Sequence, residues 1–133
     1  MTKRKDENKA DTSILLTIGA MSKALGVNQV TLRAYDKGGF LVPRRTDTNR
    51  RGYTLEDVDR GKIILFVTRN LLLDLNAVKI FNLIFKEKKI QDPKEQLEYL
   101  NSFALKAGFS KEIQQKNIEK WHNRGTNKKT DNN

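Results

Sequence analysis

Residues 17–53 decide the fold of this chain, and their sequence is TIGAMSKALGVNQVTLRAYDKGGFLVPRRTDTNRRGY. The pattern predicts two short helices, over about 18–25 and 29–37, joined by the turn sequence LGVN. A short glycine-containing turn between two helices is typical of a helix-turn-helix. Thr17 and Asn28 stand directly before the two helices, where their side chains can serve as N-caps.

Positive charge is concentrated in the second half of this stretch. Residues 44–53 are expected to form a hairpin, with a tip at 47–49 where Asp and Asn tolerate the turn backbone. Against only Asp36 and Asp47, the second helix and the hairpin carry Arg33, Lys37, Arg44, Arg45, Arg50 and Arg51. Compact helices with this much positive charge are typical of proteins that bind a nucleic-acid backbone.

Helix-start signals recur after the hairpin. Thr54 and Asp57 have the spacing of a capping box, with Asp in place of the usual Glu. Asp74 is a predicted N-cap, and Asp92 is an N-cap before Pro93, which suits the first helical position. These signals and the apolar periodicity predict helices over about 55–71, 75–88, 93–107 and 110–122.

The composition excludes several classes of site. The 133 residues include no Cys and a single His, His122, which excludes disulfides, thiolate metal sites, cysteine catalysis and a Ser-His-Asp triad. No apolar run approaches membrane-spanning length, so a soluble, cytosolic protein is predicted. The net charge is +10, and residues 14–91 hold 14 basic and 7 acidic residues, which is +7. This excess in the middle of the chain favours a shaped anionic partner, with a generic solubilising surface as the alternative.

Four blocks follow one another in a characteristic order and spacing: IGAMSKALGV, TLRAYDKGGFLVPRRT, NRRGYTLEDVDR and TRNLLLDLNAVKI. Over about Leu16–Phe85, they resemble the MerR superfamily of bacterial regulators. The second block is similar to the family signature TLR-x-Y-(E/D)-x-x-G-L-(L/I)-x-P-x-R-T. Tyr35 after Leu32-Arg33-Ala34, together with the fourth block, is most similar to the small HspR-like and GlnR-like branches.

The resemblance implies a mainly α fold, namely a winged helix-turn-helix with a small β-hairpin wing and additional C-terminal helices. It also implies a two-fold symmetric dimer on a near-palindromic operator. The domains predicted in this way are a disordered basic N-terminal tail (1–12), the winged helix-turn-helix DNA-binding domain (13–91), C-terminal helices that dimerise (92–122) and a disordered tail (123–133).

Ten side chains of the second helix and the hairpin are candidates for DNA contact. Arg33 leads, because a helix in the major groove presents its side chains to base edges and Arg binds guanine with two hydrogen bonds. The arginines of the hairpin can neutralise DNA phosphates or enter the minor groove. The alternative is that their charge only keeps the exposed edge of the hairpin from pairing with another strand. Tyr35 is either a phosphate donor or a packing aromatic. The candidates are Gln29, Thr31, Arg33, Tyr35, Lys37, Arg44, Arg45, Arg50, Arg51 and Tyr53.

Three positions depart from the family pattern. Asn49 replaces a wing-tip glycine, and Asn tolerates the left-handed conformation. Leu72 replaces a glycine before the fourth helix, so that bend is expected to be made differently. Gly108 divides the C-terminal region into two short helices, so the long dimerisation helix of the family is expected to be missing.

An apolar stripe follows the helix start at Asp92. Its members fall three and four residues apart and are predicted to form the dimer interface: Leu97, Leu100, Phe103 and Ala104. The alternative is that the stripe folds back on its own domain. If it forms the dimer, Leu100→Asp should leave a folded winged domain and abolish the dimer, because an unpaired charge would be buried.

The function predicted from these features is sequence-specific DNA binding in transcriptional control. The expected partners are double-stranded DNA, a second copy of the chain, and RNA polymerase or a co-regulator protein. No enzymatic activity, cofactor or metal is expected, since no nucleophile–base–oxyanion set can be assembled. The expected location is the cytoplasm, at the nucleoid. The alternatives are a DNA-bending accessory protein of the excisionase type and a winged-helix module that binds another protein.

Overall fold

The computed structural model describes residues 16–45 and 49–132, with side chains as far as Arg124. The chain divides into two compact units, residues 1–61 and residues 62–133. The predicted fold class, mainly α with a small β-hairpin, is confirmed. In chain order the described elements are α1 (Ile18–Leu25), α2 (Gln29–Lys37), β1 (Arg44–Arg45), β2 (Arg51–Gly52), α3 (Leu55–Leu65), a π-helical segment (Phe66–Asn70), α4 (Ala77–Glu87), α5 (Pro93–Lys106) and α6 (Lys111–Asn132).

The helix-turn-helix forms where the sequence predicts it, because side chains cap both helices. The Thr17 hydroxyl accepts a hydrogen bond from the backbone N–H of Ala20 at 3.1 Å. The Asn28 side-chain oxygen accepts one from the N–H of Thr31 at 2.8 Å. Gly26 ends α1 with a φ of 71°, in the left-handed region that favours glycine. These contacts satisfy backbone groups that helix ends leave without partners.

A two-stranded antiparallel hairpin, the wing, follows α2. Its register pairs Arg44 with Gly52 and Arg45 with Arg51. Asn49, beside the tip, has a φ of 64°, so the expectation that Asn adopts the left-handed conformation here is confirmed. The predicted tip residues 47 and 48 lie outside the described part of the chain.

Leu16, which precedes α1 and its cap, extends the antiparallel pairing of the wing. Leu16 and Tyr53 form an isolated antiparallel bridge, with N–H to carbonyl distances of 2.6 and 2.8 Å. Leu16 is therefore joined to the end of the wing by backbone hydrogen bonds. The tail predicted over 1–12 lies outside the described residues.

The start of α3 is held by the predicted capping box. The N–H of Thr54 donates to the Asp57 carboxylate at 2.9 Å, and the N–H of Asp57 donates to the Thr54 hydroxyl at 3.1 Å. Further along α3, a Cβ placed on Gly61 would lie 2.5 Å from Cδ1 of Leu25. Glycine therefore lets α3 approach α1 closely, behind the two helices of the helix-turn-helix.

In the second unit, a π-helical segment ends the helix that the sequence predicts to be regular as far as about residue 71. The side-chain amide of Asn70 donates to Gln114 Oε1 at 3.1 Å, and the Asn70 carbonyl accepts from Asn117 Nδ2 at 2.8 Å. Gln114 is only 3% exposed, and its own amide donates to the Phe109 carbonyl at 2.8 Å. The bonds from Asn70 join the π-helical segment to α6. Their partners, Gln114 and Asn117, lie 44 and 47 positions further along the chain.

The bend before α4 is made by a leucine in a strained conformation. Leu72 has a φ of 55°, in the left-handed region that favours glycine. The bend therefore has the left-handed backbone conformation that suits the glycine of the family pattern, although leucine occupies the position. Asp74 does not cap α4 directly: its carboxylate accepts from the N–H of Asn76 at 2.9 Å, and the helix begins at Ala77.

The end of α4 is a Schellman motif that has lysine where glycine is usual. The N–H of Ile90 donates to the Phe85 carbonyl at 2.9 Å, and the N–H of Lys89 donates to the Lys86 carbonyl at 3.1 Å. Lys89 has a φ of 60° and an exposed side chain. The strain of the left-handed backbone is therefore not offset by burial of its side chain.

Lys89→Gly is expected to raise the free energy of unfolding by about 1 kcal/mol, because glycine enters this conformation with little strain. Urea denaturation followed by far-ultraviolet circular dichroism measures the change. Lys88→Gly removes the same charge at a residue with a φ of −88°, together with the contact of Lys88 Nζ with the Tyr99 ring at 5.8 Å, so it is the control with an ordinary backbone conformation. That control is expected to lower stability by roughly 0.5–1 kcal/mol. Equal shifts in both variants would contradict the assignment of strain to Lys89.

Helices α4 and α5 share an aromatic cluster. Phe81 and Phe103 meet edge to face with ring centroids 6.4 Å apart, and Phe85 and Tyr99 do so at 6.2 Å. Tyr99 and Phe103 stack on each other at 6.0 Å. Such pairs stabilise the contact beyond the area they bury.

The stripe predicted to dimerise is partly covered within a single chain. Leu100 is 0% exposed and Ala104 is 1% exposed, whereas Phe103 is 42% exposed and Leu97 is half-buried. The assignment of Leu100 and Ala104 to a dimer interface therefore needs correction, because their side chains belong to the core of the second unit. Helical spacing shows that residues share a face, but it does not show what covers that face.

The last helix is longer than the sequence predicts. Gly108 ends α5 with a φ of 98°, as expected, but α6 then runs for 22 residues. The sequence predicts a tail over 123–133, whereas the helix includes the backbone of residues 123–132. A segment without apolar periodicity has no apolar face to pack against the rest of the protein. It can still be helical, because the backbone hydrogen bonds of a helix form within the segment itself.

Candidate nucleic-acid interface

Helix α2 buries one face and presents the other to solvent. Leu32 is 0% exposed, so it lies on the buried face. Gln29 and Arg33 lie one turn apart on the exposed face, and Arg33 Nη2 donates to Gln29 Oε1 at 3.4 Å. Thr31 is half-buried, and its hydroxyl hydrogen-bonds Asn28 Oδ1 at 3.0 Å, so it takes part in the cap of α2.

Sequence reasoning missed one residue of this exposed face. Val30 is 69% exposed and lies between Gln29 and Arg33. An apolar side chain on a helix in the major groove can contact the methyl group of thymine. The available signal was that Val30 and Leu32, two residues apart, cannot both face inward on a helix.

The wing carries four arginines, all with exposed side chains: Arg44, Arg45, Arg50 and Arg51. Two of them are oriented by neighbours. Arg45 Nη1 donates to Asn49 Oδ1 at 2.9 Å, within the wing itself. Arg51 Nη1 forms an ion pair with Asp36 Oδ2 at 3.1 Å, which joins the wing to the last turn of α2.

The two candidate tyrosines lie inside the first unit rather than on its surface. Tyr35 is 5% exposed and Tyr53 is 2% exposed. Their rings therefore pack in the protein, which for Tyr35 is one of the two alternatives that the sequence leaves open, and a DNA contact of either hydroxyl stays a prediction. Burial raises the pKa of the Tyr53 hydroxyl above its usual range, and the nearby carboxylates of Asp36 and Asp57 raise it further.

A cavity of about 340 Å³ opens between the start of α1, the end of α2 and the wing. Two arginines, Arg33 and Arg51, and one acid, Asp36, are among the residues that line it. The lining residues are Thr17, Ile18, Arg33, Asp36, Pro43, Arg51 and Tyr53. Two guanidinium groups on one concave surface suit an anion such as a phosphate.

This geometry can be compared with known proteins. Residues 16–70 match the family model described as MerR HTH family regulatory protein. The chain carries a MerR-family helix-turn-helix domain. The resemblance drawn from the four sequence blocks is thereby confirmed at the level of the superfamily, while the branch within it stays a prediction.

The MerR-type domain is also similar to a curated protein, the HTH-type transcriptional regulator ZntR homolog of Haemophilus influenzae. The two are 38% identical over 65 residues, which is 48% of this chain and 47% of that protein. The chain thus spans about half the length of the curated relative it matches. No solved structure matches the chain.

Most of the predicted DNA-contact residues of the MerR-type domain lie on one continuous part of the first unit. Gln29, Arg33 and Lys37 follow one another along the exposed face of α2, and the wing arginines extend from it. In the described residues, no cluster of three or more His, Cys, Asp or Glu is arranged to hold a metal ion. No helix found in the same residues is long and apolar enough to cross a membrane.

Proposed function

We propose that this chain is a sequence-specific DNA-binding transcriptional regulator. The observation that carries the proposal is the joined surface of α2 and the wing. Exposed Gln29, Val30 and Arg33 suit base edges in the major groove, and the wing arginines suit phosphates or the minor groove. The family match over residues 16–70 supports the same conclusion.

We further propose that the protein acts as a dimer on a near-palindromic operator. A single helix-turn-helix reads only a few base pairs, so two copies on a two-fold site are needed for useful specificity. The second unit leaves apolar side chains exposed for such an interface, among them Ile80 (62%), Leu83 (57%) and Phe103 (42%). Of the predicted stripe, Leu97 and Phe103 remain candidates.

The proposed roles extend to the rest of the chain. Residues 13–91 are proposed as the DNA-binding domain and 92–122 as the region that dimerises. RNA polymerase or a co-regulator protein is the proposed further partner, and a chromosomal target places the protein in the cytoplasm at the nucleoid. The excisionase-like alternative expects a chain that stops near the wing, whereas here α4, α5 and α6 follow it.

Selection of duplexes from a random 30-base-pair library by the purified protein tests this function. The expected result is enrichment of a shared sequence with two inverted half-sites. Analytical ultracentrifugation of the protein with one enriched duplex should give two chains per duplex. Enrichment of no sequence, with affinity equal for all duplexes, would favour the protein-interaction alternative.

Arg33→Ala is expected to weaken binding to the enriched duplex by about 1–3 kcal/mol and to relax the preference at one base pair of each half-site. The reason is that an exposed arginine on α2 can form two hydrogen bonds to guanine. Fluorescence anisotropy with the enriched duplex and a shuffled duplex measures both affinities. Arg124→Ala, at an exposed arginine of α6, is the control. An equal loss on both duplexes would make Arg33 a phosphate contact instead.

A further inference from the structure

Among the described residues of α2 and the wing, Asp36 is the acidic side chain within a basic surface. Asp36 lies in the last turn of α2, beside Arg51 and on the wall of the same cavity as Arg33. A carboxylate in the last turn of a helix is disfavoured by the helix dipole. A carboxylate near bound DNA also repels phosphate. Both general electrostatic effects oppose an acid at this position, so Asp36 calls for a specific role.

The Asp36 carboxylate pairs with an arginine of the wing, Arg51. Its Oδ2 accepts a hydrogen bond from Arg51 Nη1 at 3.1 Å, across 15 positions of sequence. The side chain of Arg51 is 58% exposed and that of Asp36 is 23% exposed. Exposed ion pairs of this kind contribute little to stability, because both charges stay hydrated. The effect of the pair is therefore on the orientation of the arginine.

The oriented arginine faces a concave surface of suitable chemistry. Arginine has five N–H donors, and the hydrogen bond from Arg51 Nη1 to Asp36 uses one of them. Arg33 and Thr17 line the same cavity as Arg51. An arginine that is already held in place loses less side-chain entropy on binding. The charge and shape suit one phosphate group of a DNA backbone.

We propose that Asp36 is a positioning residue for DNA binding: it holds the Arg51 guanidinium over the cavity between α2 and the wing, where one backbone phosphate binds. This inference rests on the proposed function. By this account a negative charge in the interface strengthens DNA binding.

For the DNA affinity of Asp36→Ala, the proposal predicts a change opposite in sign to the one expected from net charge. Asp36→Ala makes the protein more positive, so charge alone predicts tighter binding to DNA. Loss of positioning predicts binding about 10-fold weaker on a duplex enriched by the wild-type protein, and a salt slope lower by roughly 0.9 for one lost phosphate contact. Asp36→Glu, which keeps the carboxylate, should restore most of the affinity.

Two comparisons isolate the contact. Asp59→Ala removes one negative charge from α3, at a residue that makes no ion pair in the described part of the chain, and should leave binding unchanged or slightly tighter. In the Arg51→Ala background, Asp36→Ala should cause no further loss, because the residue through which it acts is gone. Circular dichroism melting of each variant checks that the fold is kept.

The outcomes separate this inference from the proposed function. A wild type that enriches no duplex overturns both. A wild type that binds its duplex, with Asp36→Ala equal or tighter, overturns this inference alone. An additive loss in the Arg51→Ala background also overturns it, because Asp36 would then act through another group.

Discussion

Replacing Leu100 with aspartate is expected to unfold the second unit of this protein. Leu100 is 0% exposed in α5, so the variant both removes a packed leucine and buries a carboxylate without a partner. Loss of the leucine contacts costs about 2–5 kcal/mol, and the unpaired charge adds several more. Together these effects approach the total stability of a typical small protein, about 5–15 kcal/mol.

Urea denaturation at neutral pH, followed by circular dichroism, measures the loss. The defect should be smaller at acidic pH, because burial raises the pKa of an aspartate and the protonated form costs less to bury. Leu105→Asp is the matched control on the same helix, since Leu105 is 46% exposed. The control should stay within about 1 kcal/mol of the wild type.

The same experiment decides between the two interpretations of the apolar stripe. If Leu100 formed a dimer contact, Leu100→Asp would keep its fold and become monomeric. The structure leads us to expect unfolding instead, since the residue is covered within one chain. A Leu100→Asp variant that melts like Leu105→Asp would contradict the packing described for α5.

Simultaneous replacement of Arg45 and Arg51 by alanine is expected to weaken DNA binding strongly and to flatten its salt dependence. Both side chains are exposed on the wing, and both are oriented, by Asn49 and Asp36 respectively. Each lost phosphate contact should lower the slope of log affinity against log salt by roughly 0.9, so two should lower it by about 1.8. Affinity should fall by about 10- to 100-fold near physiological salt.

Fluorescence anisotropy across a series of salt concentrations measures the slope. The double replacement of Lys86 and Lys94 by alanine is a suitable control, because it removes two exposed positive charges from the second unit. That control should change the slope much less. An unchanged slope in a folded wing variant would falsify the assignment of the wing to DNA.

Much of the first unit could be predicted because its signals are local. Thr17, Asn28 and the pair Thr54–Asp57 cap helices through hydrogen bonds between residues three positions apart, so the sequence spacing specifies them. The inward face of α2 follows from Leu32 and its neighbours in the same way. Each of these features depends on residues within about one helical turn of each other. Their relative positions are set by helix geometry and not by the rest of the fold.

The candidate interface was predicted in outline but not in detail. The exposed positions of Gln29 and Arg33, and the basic wing, follow from helix periodicity and hairpin signals. Burial of Tyr35 does not, because an aromatic side chain at the edge of a helical face can turn inward or outward depending on what packs beside it. The pairing of Asp36 with Arg51 also depends on how the wing meets α2.

By itself, the sequence determined the helix boundaries of the first unit, the position of its wing, the concentration of positive charge and the family to which the domain belongs. Each depends on residues close together in the chain or on their order along it. Only the tertiary structure decided that Leu100 is core and that Asn70 bonds α6 through Gln114 and Asn117. These depend on contacts between distant segments, and helical periodicity identifies an apolar face without identifying the surface that covers it.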